Sequence, residues 1–181
     1  MRKADLAVLR WLRTHGHAPA LERTVSAYSR LGEHAACWFA LGAGGLALER
    51  DPSRRRRWGR GITIVAAAYV INYAVKLAVR RPRPELPGLP PLSPVVSSLS
   101  FPSAHCTTSF AAARAYGGLL PPAALYAAAG AFALSRPYLG VHYPSDVVAG
   151  AALGTLVGAG FARPWENRPG GDSPGHGDAS Q

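Results

Sequence analysis

Residues 135–146 read SRPYLGVHYPSD, and the rest of the chain is organised around this stretch. His142 and Asp146 are four residues apart, and the Pro-Ser pair between them is typical of a helix start. A carboxylate in that first turn can hold one imidazole nitrogen and leave the other free to attack an electrophile. Arg136 adds a permanent planar cation that suits phosphate oxygens. The stretch therefore combines a candidate nucleophile, an orienting carboxylate and an anion-binding group.

Two further stretches extend this pattern upstream. KLAVRRPRP at residues 76–84 separates Lys76 from an Arg-Pro pair by six residues, and residues 102–105 read PSAH. In order and in internal spacing, the three stretches resemble the signature motifs of the type 2 phosphatidic acid phosphatase superfamily. The second motif of that family usually reads PSGH, so Ala104 is a small departure from it.

The resemblance implies an all-α integral-membrane bundle that removes phosphate from a lipid through a phosphohistidine intermediate. His142 is then expected to attack phosphorus, Asp146 to orient it, and His105 to protonate the leaving alkoxide and afterwards activate water. A phosphate needs several cations or N–H donors around its oxygens, and a helix N-terminus supplies such donors. The residues expected to bind the phosphate are Lys76, Arg83, Ser103, Ala104 and Arg136. No metal and no other cofactor are expected.

Composition favours a membrane location. The 181 residues are 48% hydrophobic, yet the net charge is +10. The basic residues cluster between apolar blocks, which is typical of membrane-flanking charge, and no nucleic-acid-binding signature accompanies them. The bilayer and a lipid phosphate are therefore the expected partners, and nucleic acid is not. Cys37 and Cys106 show no metal-ligand spacing and are expected to be buried thiols. His15, His17 and His34 have no partner motif and are expected to be interface or loop residues.

Five apolar blocks predict about five transmembrane helices, some of which need their flanks to reach the roughly 17–25 residues of a span. The blocks run over residues 33–48, 61–79, 103–120, 122–135 and 145–162. Alternate crossings would place all three motifs on one membrane face. The blocks form a phosphatase domain at 33–162, after an amphipathic interfacial segment at 1–32 that breaks at Gly16 and Pro19. A disordered tail is expected at 163–181.

The connection between the first two motifs is rich in proline. Its prolines exclude a continuous helix, so residues 84–101 are expected to form a loop that partly covers the site. Arg80 and Arg81 are expected to face lipid headgroups or the polar end of the substrate. Arg114 lies inside an apolar block and is expected to snorkel to the far membrane face.

A site between helices at the membrane face suits an amphiphilic phosphate whose tail stays in lipid. The short build and the sequence SRLGEH at residues 29–34 resemble the decaprenylphosphoryl-phosphoribose phosphatase branch of the superfamily. The expected substrate is therefore a polyprenyl-linked phosphate of cell-wall precursor synthesis, with undecaprenyl diphosphate, phosphatidylglycerophosphate and phosphatidic acid as alternatives. A vanadium haloperoxidase-like enzyme and a non-catalytic membrane scaffold are the alternatives from other classes.

The charge distribution gives only one indication of orientation. Basic residues outside the motifs are balanced between the two predicted faces. The dense basic loop at residues 50–60 favours a cytoplasmic location for that loop. The active site is then expected on the outer face of a bacterial plasma membrane.

Overall fold

The computed structural model describes residues 2–166, and within that range the chain is helical, with seven α-helices and no strand. A single 3-10 turn at Glu33–Ala35 and an isolated bridge between Pro82 and Leu99 complete the regular structure. The helices are α1 (Arg2–Thr14), α2 (Pro19–Leu31), α3 (Ala36–Leu48), α4 (Pro52–Val79), α5 (Ala104–Tyr116), α6 (Pro122–Tyr138) and α7 (Pro144–Glu166). The predicted all-α class is confirmed.

Helix α5 lies at the centre of the bundle and packs against α4, α6 and α7. Its contact with α7 is close because α7 carries glycines at a spacing of four, the pattern that lets helix backbones approach. A Cβ atom at Gly150 would lie 2.6 Å from the Ser103 carbonyl oxygen, and one at Gly154 would collide with the Thr107 carbonyl oxygen. This packing brings the first turn of α7 against the first turn of α5, where the second and third motifs end.

Helix α4 is the longest helix and connects the two ends of the bundle. Pro52 occupies its first turn, and the Asp51 side chain accepts a hydrogen bond from the Arg54 backbone N–H, which caps the helix. Arg80 ends the helix with a left-handed backbone (φ 53°). Among the described helices, α4 is the one that is long and apolar enough to cross a bilayer by itself.

The other predicted spans coincide with shorter helices. The blocks at 33–48, 103–120 and 122–135 correspond to α3, α5 and α6, and the block at 145–162 lies within α7. Helices α3 and α5 have 13 residues each. At about 1.5 Å per residue, a helix of that length extends roughly 20 Å, which is less than the hydrocarbon thickness of about 30 Å. The chain thus has the predicted helices, while the number of them that cross the membrane stays a prediction.

The N-terminal helices pack on the end of the bundle that carries the motifs. Helix α1 contacts α6 and α7, and α2 contacts α6, with the predicted break between them at Gly16, where φ is +71°. Residues 80–103 form the irregular connection between α4 and α5. It is tied down by hydrogen bonds from Leu92 N–H to the Leu139 carbonyl and from Arg13 Nη2 to the Pro90 carbonyl.

The end of helix α7 overlaps the start of the predicted tail. Helix α7 continues to Glu166, so the first four residues of the expected tail at 163–181 are helical. The remaining residues of that tail lie outside the described residues.

Candidate active site

The three motifs converge at one end of the bundle. Lys76 lies in the last turn of α4, His105 in the first turn of α5 and Asp146 in the first turn of α7. Arg136 lies near the end of α6, and His142 lies in the loop that follows it. Helices of alternating direction thus bring together residues that are up to 70 positions apart in the sequence.

A cavity of about 100 Å³ opens between these side chains. The predicted site residues that line it are Lys76, Arg83, Ala104, His105, Arg136 and His142. Ser103 is fully buried, and its hydroxyl has no hydrogen-bond partner within residues 2–166. Its backbone N–H donates to the Asp146 carbonyl at 3.0 Å. The contact predicted between the Ser103 hydroxyl and phosphate stays a prediction.

His142 is held in the tautomer that a nucleophile needs. Its Nε2 lies 3.2 Å from Arg83 Nη1, and a guanidinium can only donate, so Nε2 accepts and carries no proton. The proton of the neutral ring then lies on Nδ1, which faces Asp146 Oδ2 at 3.5 Å. That separation exceeds an ordinary hydrogen bond, and catalytic contacts of this kind tighten when substrate binds. Burial lowers the pKa of His142 to about 3, so the ring is neutral at physiological pH.

Asp146 is fixed by three contacts besides His142. Its Oδ2 accepts from the Ser100 hydroxyl and, at 3.0 Å, from the Tyr143 backbone N–H. Its Oδ1 accepts from Arg81 Nη1 at 2.8 Å. A fully buried carboxylate with this many donors stays ionised and immobile, which is what an orienting group requires.

Arg81 corrects one prediction from the sequence. It was expected to face lipid headgroups or the substrate, but it lies over the Tyr143 ring at 3.9 Å and bridges Asp146 and Asp5. The reason is local, because the left-handed residue Arg80 reverses the chain and directs Arg81 towards α7. Arg80 itself is exposed and donates to the Leu77 carbonyl.

Asp5 belongs to the same network, although it comes from α1. It accepts from Arg81 Nη2 at 2.8 Å, and from the Ser145 hydroxyl at 2.6 Å and backbone N–H at 3.0 Å. Burial alone would raise the pKa of Asp5, but these hydrogen bonds outweigh it and hold the pKa below its usual value. The only signal in the sequence was an acidic residue in a basic amphipathic helix.

Three cations surround the cavity. Lys76 Nζ donates to the Leu99 and Ser100 carbonyls at 3.1 and 3.3 Å, which ties the Pro-rich connection to α4. Arg83 Nε donates to the Ser97 carbonyl at 2.6 Å, and burial lowers the pKa of Arg83 to about 10, so it remains a cation at neutral pH. Arg136 Nε is buried without a partner in the described part of the chain. A phosphate oxygen would satisfy that donor.

His105 is oriented by a residue of α2. Its Nε2 lies 2.9 Å from the Ser29 backbone carbonyl, which can only accept, so Nε2 carries a proton. Ser29 is fully buried, and its hydroxyl contacts both Arg136 Nη1 and the Ser135 hydroxyl. One N-terminal residue therefore positions both a candidate acid and a candidate phosphate ligand.

Comparison with known proteins supports the interpretation of the three motifs. A family model described as PAP2 superfamily matches residues 59–169, which contain all three motifs. This chain belongs to the PAP2 superfamily. The predicted recognition of the family and of the phosphatase class is confirmed.

PAP2 relatives with curated names include two kinds of lipid phosphatase. The chain is 43% identical over 148 residues to decaprenylphosphoryl-5-phosphoribose phosphatase from Mycobacterium tuberculosis strain H37Rv, covering 78% of each protein. It is 42% identical to the protein of the same name from Mycolicibacterium smegmatis, over 73% of this chain and 72% of the relative. It is 36% identical to lipid A 1-phosphatase from Rhizobium etli, over 51% of this chain and 43% of the relative.

Two solved structures share the fold. Aquifex aeolicus LpxE superposes with a TM-score of 0.75 at 24% identity, over 87% of this chain and 94% of that one. A transmembrane PAP2-type phosphatidylglycerolphosphate phosphatase from Bacillus subtilis superposes with a TM-score of 0.71 at 23% identity, over 93% and 88% of the two chains. These likenesses confirm a PAP2 helical bundle of the kind found in membrane enzymes.

The PAP2 motifs do not account for every polar residue at the site. Asn72 lies one turn before Lys76 on α4, lines the cavity, and donates to Thr107 Oγ1 at 2.8 Å. Glu33 and His34, from the turn before α3, line the same cavity. His34 was expected to be an interface or loop residue, and it lies in a turn, one whose side chains line the cavity.

Proposed function

We propose that this PAP2 phosphatase hydrolyses the terminal phosphate monoester of a polyprenylphosphoryl-5-phosphoribose. The observation that carries the proposal is the 43% identity, over 78% of both chains, with proteins named decaprenylphosphoryl-5-phosphoribose phosphatase. The products are inorganic phosphate and the polyprenylphosphoryl ribose with a free 5-hydroxyl.

The geometry supports a first step of nucleophilic displacement. His142 Nε2 attacks phosphorus, the phosphorus–oxygen bond to the ribose breaks, and its electron pair goes to the leaving oxygen. His105, protonated on both nitrogens, keeps its Nε2 proton on the Ser29 carbonyl and gives its Nδ1 proton to that oxygen. Asp146 stabilises the positive charge that develops on His142, as a carboxylate does behind a reacting imidazole.

The second step reverses the role of His105. A water molecule attacks the phosphohistidine while His105 Nδ1 accepts its proton, and the phosphorus–nitrogen bond electrons return to His142 Nε2. Lys76, Arg83 and Arg136 neutralise the phosphate oxygens in both steps, where fixed cations in a dry site have their largest effect. No step requires a metal, and within residues 2–166 no three His, Cys, Asp or Glu side chains are grouped to hold one.

The mouth of the cavity suits a lipid substrate. Val95 and Val96 of the Pro-rich connection and Tyr73 of α4 line the cavity, and each presents an exposed apolar surface. An isoprenoid tail can remain on that surface while the phosphate reaches the cations. The predicted loop over the site thus contributes to lipid contact in this proposal.

We propose that α3 to α7 cross the membrane, the shorter helices together with their flanking residues, and that the site lies on the outer face. Arg56 and Lys76 are 20 residues apart on α4, or about 30 Å, which matches the thickness of the hydrocarbon core. The arginines at the start of α4 then lie on the opposite face from the site, and their density favours the cytoplasm. Labelling Ser53→Cys, in a Cys37→Ala background, with an impermeant maleimide tests this, since labelling of intact cells would contradict it.

The substrate assignment is tested with purified protein in detergent. Phosphate release is measured from decaprenylphosphoryl-5-phosphoribose, undecaprenyl diphosphate, phosphatidylglycerophosphate and phosphatidic acid, with His142→Ala as the background. We expect kcat/KM for the ribose substrate to exceed the others by at least about tenfold, roughly 1.4 kcal/mol of transition-state discrimination. Equal or faster release from any of the other lipids would contradict the assignment.

A further inference from the structure

The turn between α2 and α3 lies directly against His105. A Cβ atom at Gly32 would lie 2.7 Å from His105 Cδ2 and 2.8 Å from Phe132 Cε1, so only glycine fits there. The next residues, His34 and Ala35, have left-handed backbones, with φ of 51° and 59°. This tight turn places Glu33 and His34 beside the residue that protonates the leaving group.

Side chains of this turn, together with Tyr69 of α4, form a second polar end of the cavity. Glu33, His34 and Tyr69 line the cavity together with the phosphate-binding cations. His34 Nδ1 and the Tyr69 hydroxyl are hydrogen-bonded at 2.9 Å. Glu33 is half-buried and lines the same cavity as Arg136. None of these three groups is a phosphate cation or one of the reacting histidines.

The chemistry of these three side chains suits hydroxyl groups and disfavours a second phosphate joined directly to the first, as in a diphosphate. A carboxylate repels an anionic group but accepts strong hydrogen bonds from hydroxyls, while an imidazole and a phenol can each donate and accept. The leaving oxygen takes its proton from His105, and His105 lines the same cavity as Glu33 and His34, so the leaving group enters the cavity that these side chains line. Diacylglycerol, the leaving group of phosphatidic acid, has both other hydroxyls esterified and could not use these partners.

We propose that Glu33, His34 and Tyr69 form a subsite that binds the free hydroxyls of a sugar in the leaving group. This inference rests on the proposed function and specifies how the ribose is recognised. The family match begins at residue 59, so Glu33 and His34 lie outside the part of the chain that carries the shared motifs.

The experiment compares two substrates in each of four proteins. The substrates are a polyprenylphosphoryl-5-phosphoribose and its 2-deoxyribose counterpart, and the proteins are wild type, Glu33→Gln, Tyr69→Phe and Glu85→Gln. Glu85 is an exposed carboxylate of the Pro-rich connection that does not line this cavity, so Glu85→Gln is the matched control. Phosphatidic acid is included as a substrate without a sugar, and melting temperatures confirm that each variant is folded.

We expect wild type and Glu85→Gln to prefer the ribose substrate over the deoxyribose one by about tenfold to a hundredfold in kcat/KM, the range for hydrogen bonds to a charged group. Glu33→Gln should lose most of that preference, and Tyr69→Phe should lose part of it. Hydrolysis of phosphatidic acid, however slow, should change by less than about twofold in either variant.

The outcomes separate this inference from the proposed function. If wild type prefers the ribose lipid but both variants retain its preference over the deoxyribose lipid, the subsite is wrong and the substrate assignment stands. If wild type does not discriminate between the sugars, the subsite is also wrong. If wild type hydrolyses phosphatidic acid as fast as the ribose lipid, the substrate assignment fails, and the subsite fails with it.

Discussion

The N-terminal helices and the family-matched part of the chain contribute to the site in different ways. Every group expected to touch phosphate or to transfer a proton comes from residues 76–146. Helices α1 and α2 supply no reacting group, yet Asp5 holds Arg81 and Ser145, and Ser29 holds His105 and Arg136. The motifs therefore carry the chemistry, while the N-terminal helices fix the positions of the groups that perform it.

The largest loss of activity is expected from substitutions at the nucleophile and its orienting carboxylate, in the family-matched part of the chain. Replacing His142 with Ala removes the atom that forms the phosphoenzyme, so we expect phosphate release to fall to background, a loss of at least about a thousandfold. Asp146→Asn keeps the packing but removes the charge behind the imidazole, and should also lose about a thousandfold or more. Both are measured as kcat with purified, folded protein. Near-normal turnover by His142→Ala would refute the mechanism.

The second prediction concerns pH and metal. Burial lowers the pKa of His142 to about 3, so the nucleophile stays unprotonated as the pH falls through 6.5 and is lost only well below it. His105 must carry a proton on Nδ1 for the first step, so kcat should fall as rising pH removes that proton. We therefore expect a bell-shaped profile of kcat in EDTA whose acid limb lies well below pH 6.5.

The same assay decides whether a metal takes part. Vanadate should inhibit in EDTA, because it mimics phosphate at the three cations. An acid limb of kcat at pH 6.5 would contradict the buried neutral state of His142. Loss of activity in EDTA that Mg²⁺ restores would contradict the metal-free mechanism.

The third prediction concerns α1. Asp5→Asn keeps the size of the side chain but weakens its hold on Arg81 and Ser145, so Asp146 is fixed less firmly. We expect kcat to fall about tenfold with KM within about twofold, because the phosphate cations are untouched. Glu22→Gln is the control, since it removes an acidic partner of His17 elsewhere in the N-terminal helices. A lower melting temperature with unchanged kcat would show that Asp5 is only structural.

Local spacing made the reacting groups predictable from the sequence. The motifs contain His142 and Asp146 four residues apart, and Lys76 and Arg83 with a fixed separation, so their chemistry could be inferred without a fold. The apolar blocks similarly predicted the positions of the helices, because a helix that is buried or lies in a membrane is a long apolar segment in either case. The glycines at every fourth position of α7 allow close backbone contact, but it is the structure that shows α5 to be the neighbour.

Long-range contacts and backbone reversals could not be predicted in this way. Arg80 and Arg81 are adjacent and chemically identical, and only the left-handed conformation of Arg80 decides which one reaches Asp146. Asp5 lies 141 positions before Asp146, and Ser29 lies 107 positions before Arg136, so no local pattern relates them. His34 likewise joins the site only because Gly32 allows its turn to approach His105.

The smallest effect is expected at Arg114, which lies in the family-matched part of the chain but away from the site. It lies nine residues after His105 and only two residues before the end of α5. At the rise of an α-helix, that separation from His105 is about 13 Å. Its side chain is exposed, and its Cβ and Cγ occupy the space that a Cβ at Gly158 would need. The stem therefore packs on α7 while the charged end can reach the far membrane face, as snorkelling requires.

Arg114→Leu keeps the packed stem and removes only the charge. We expect turnover within about threefold of wild type and an equal or slightly higher melting temperature in detergent, because no described acidic residue loses a partner. Glu85→Gln serves again as the neutral reference for both measurements. A loss of more than about a hundredfold in kcat/KM with folding intact, roughly 2.7 kcal/mol of transition-state stabilisation, would instead place Arg114 in the path of the substrate.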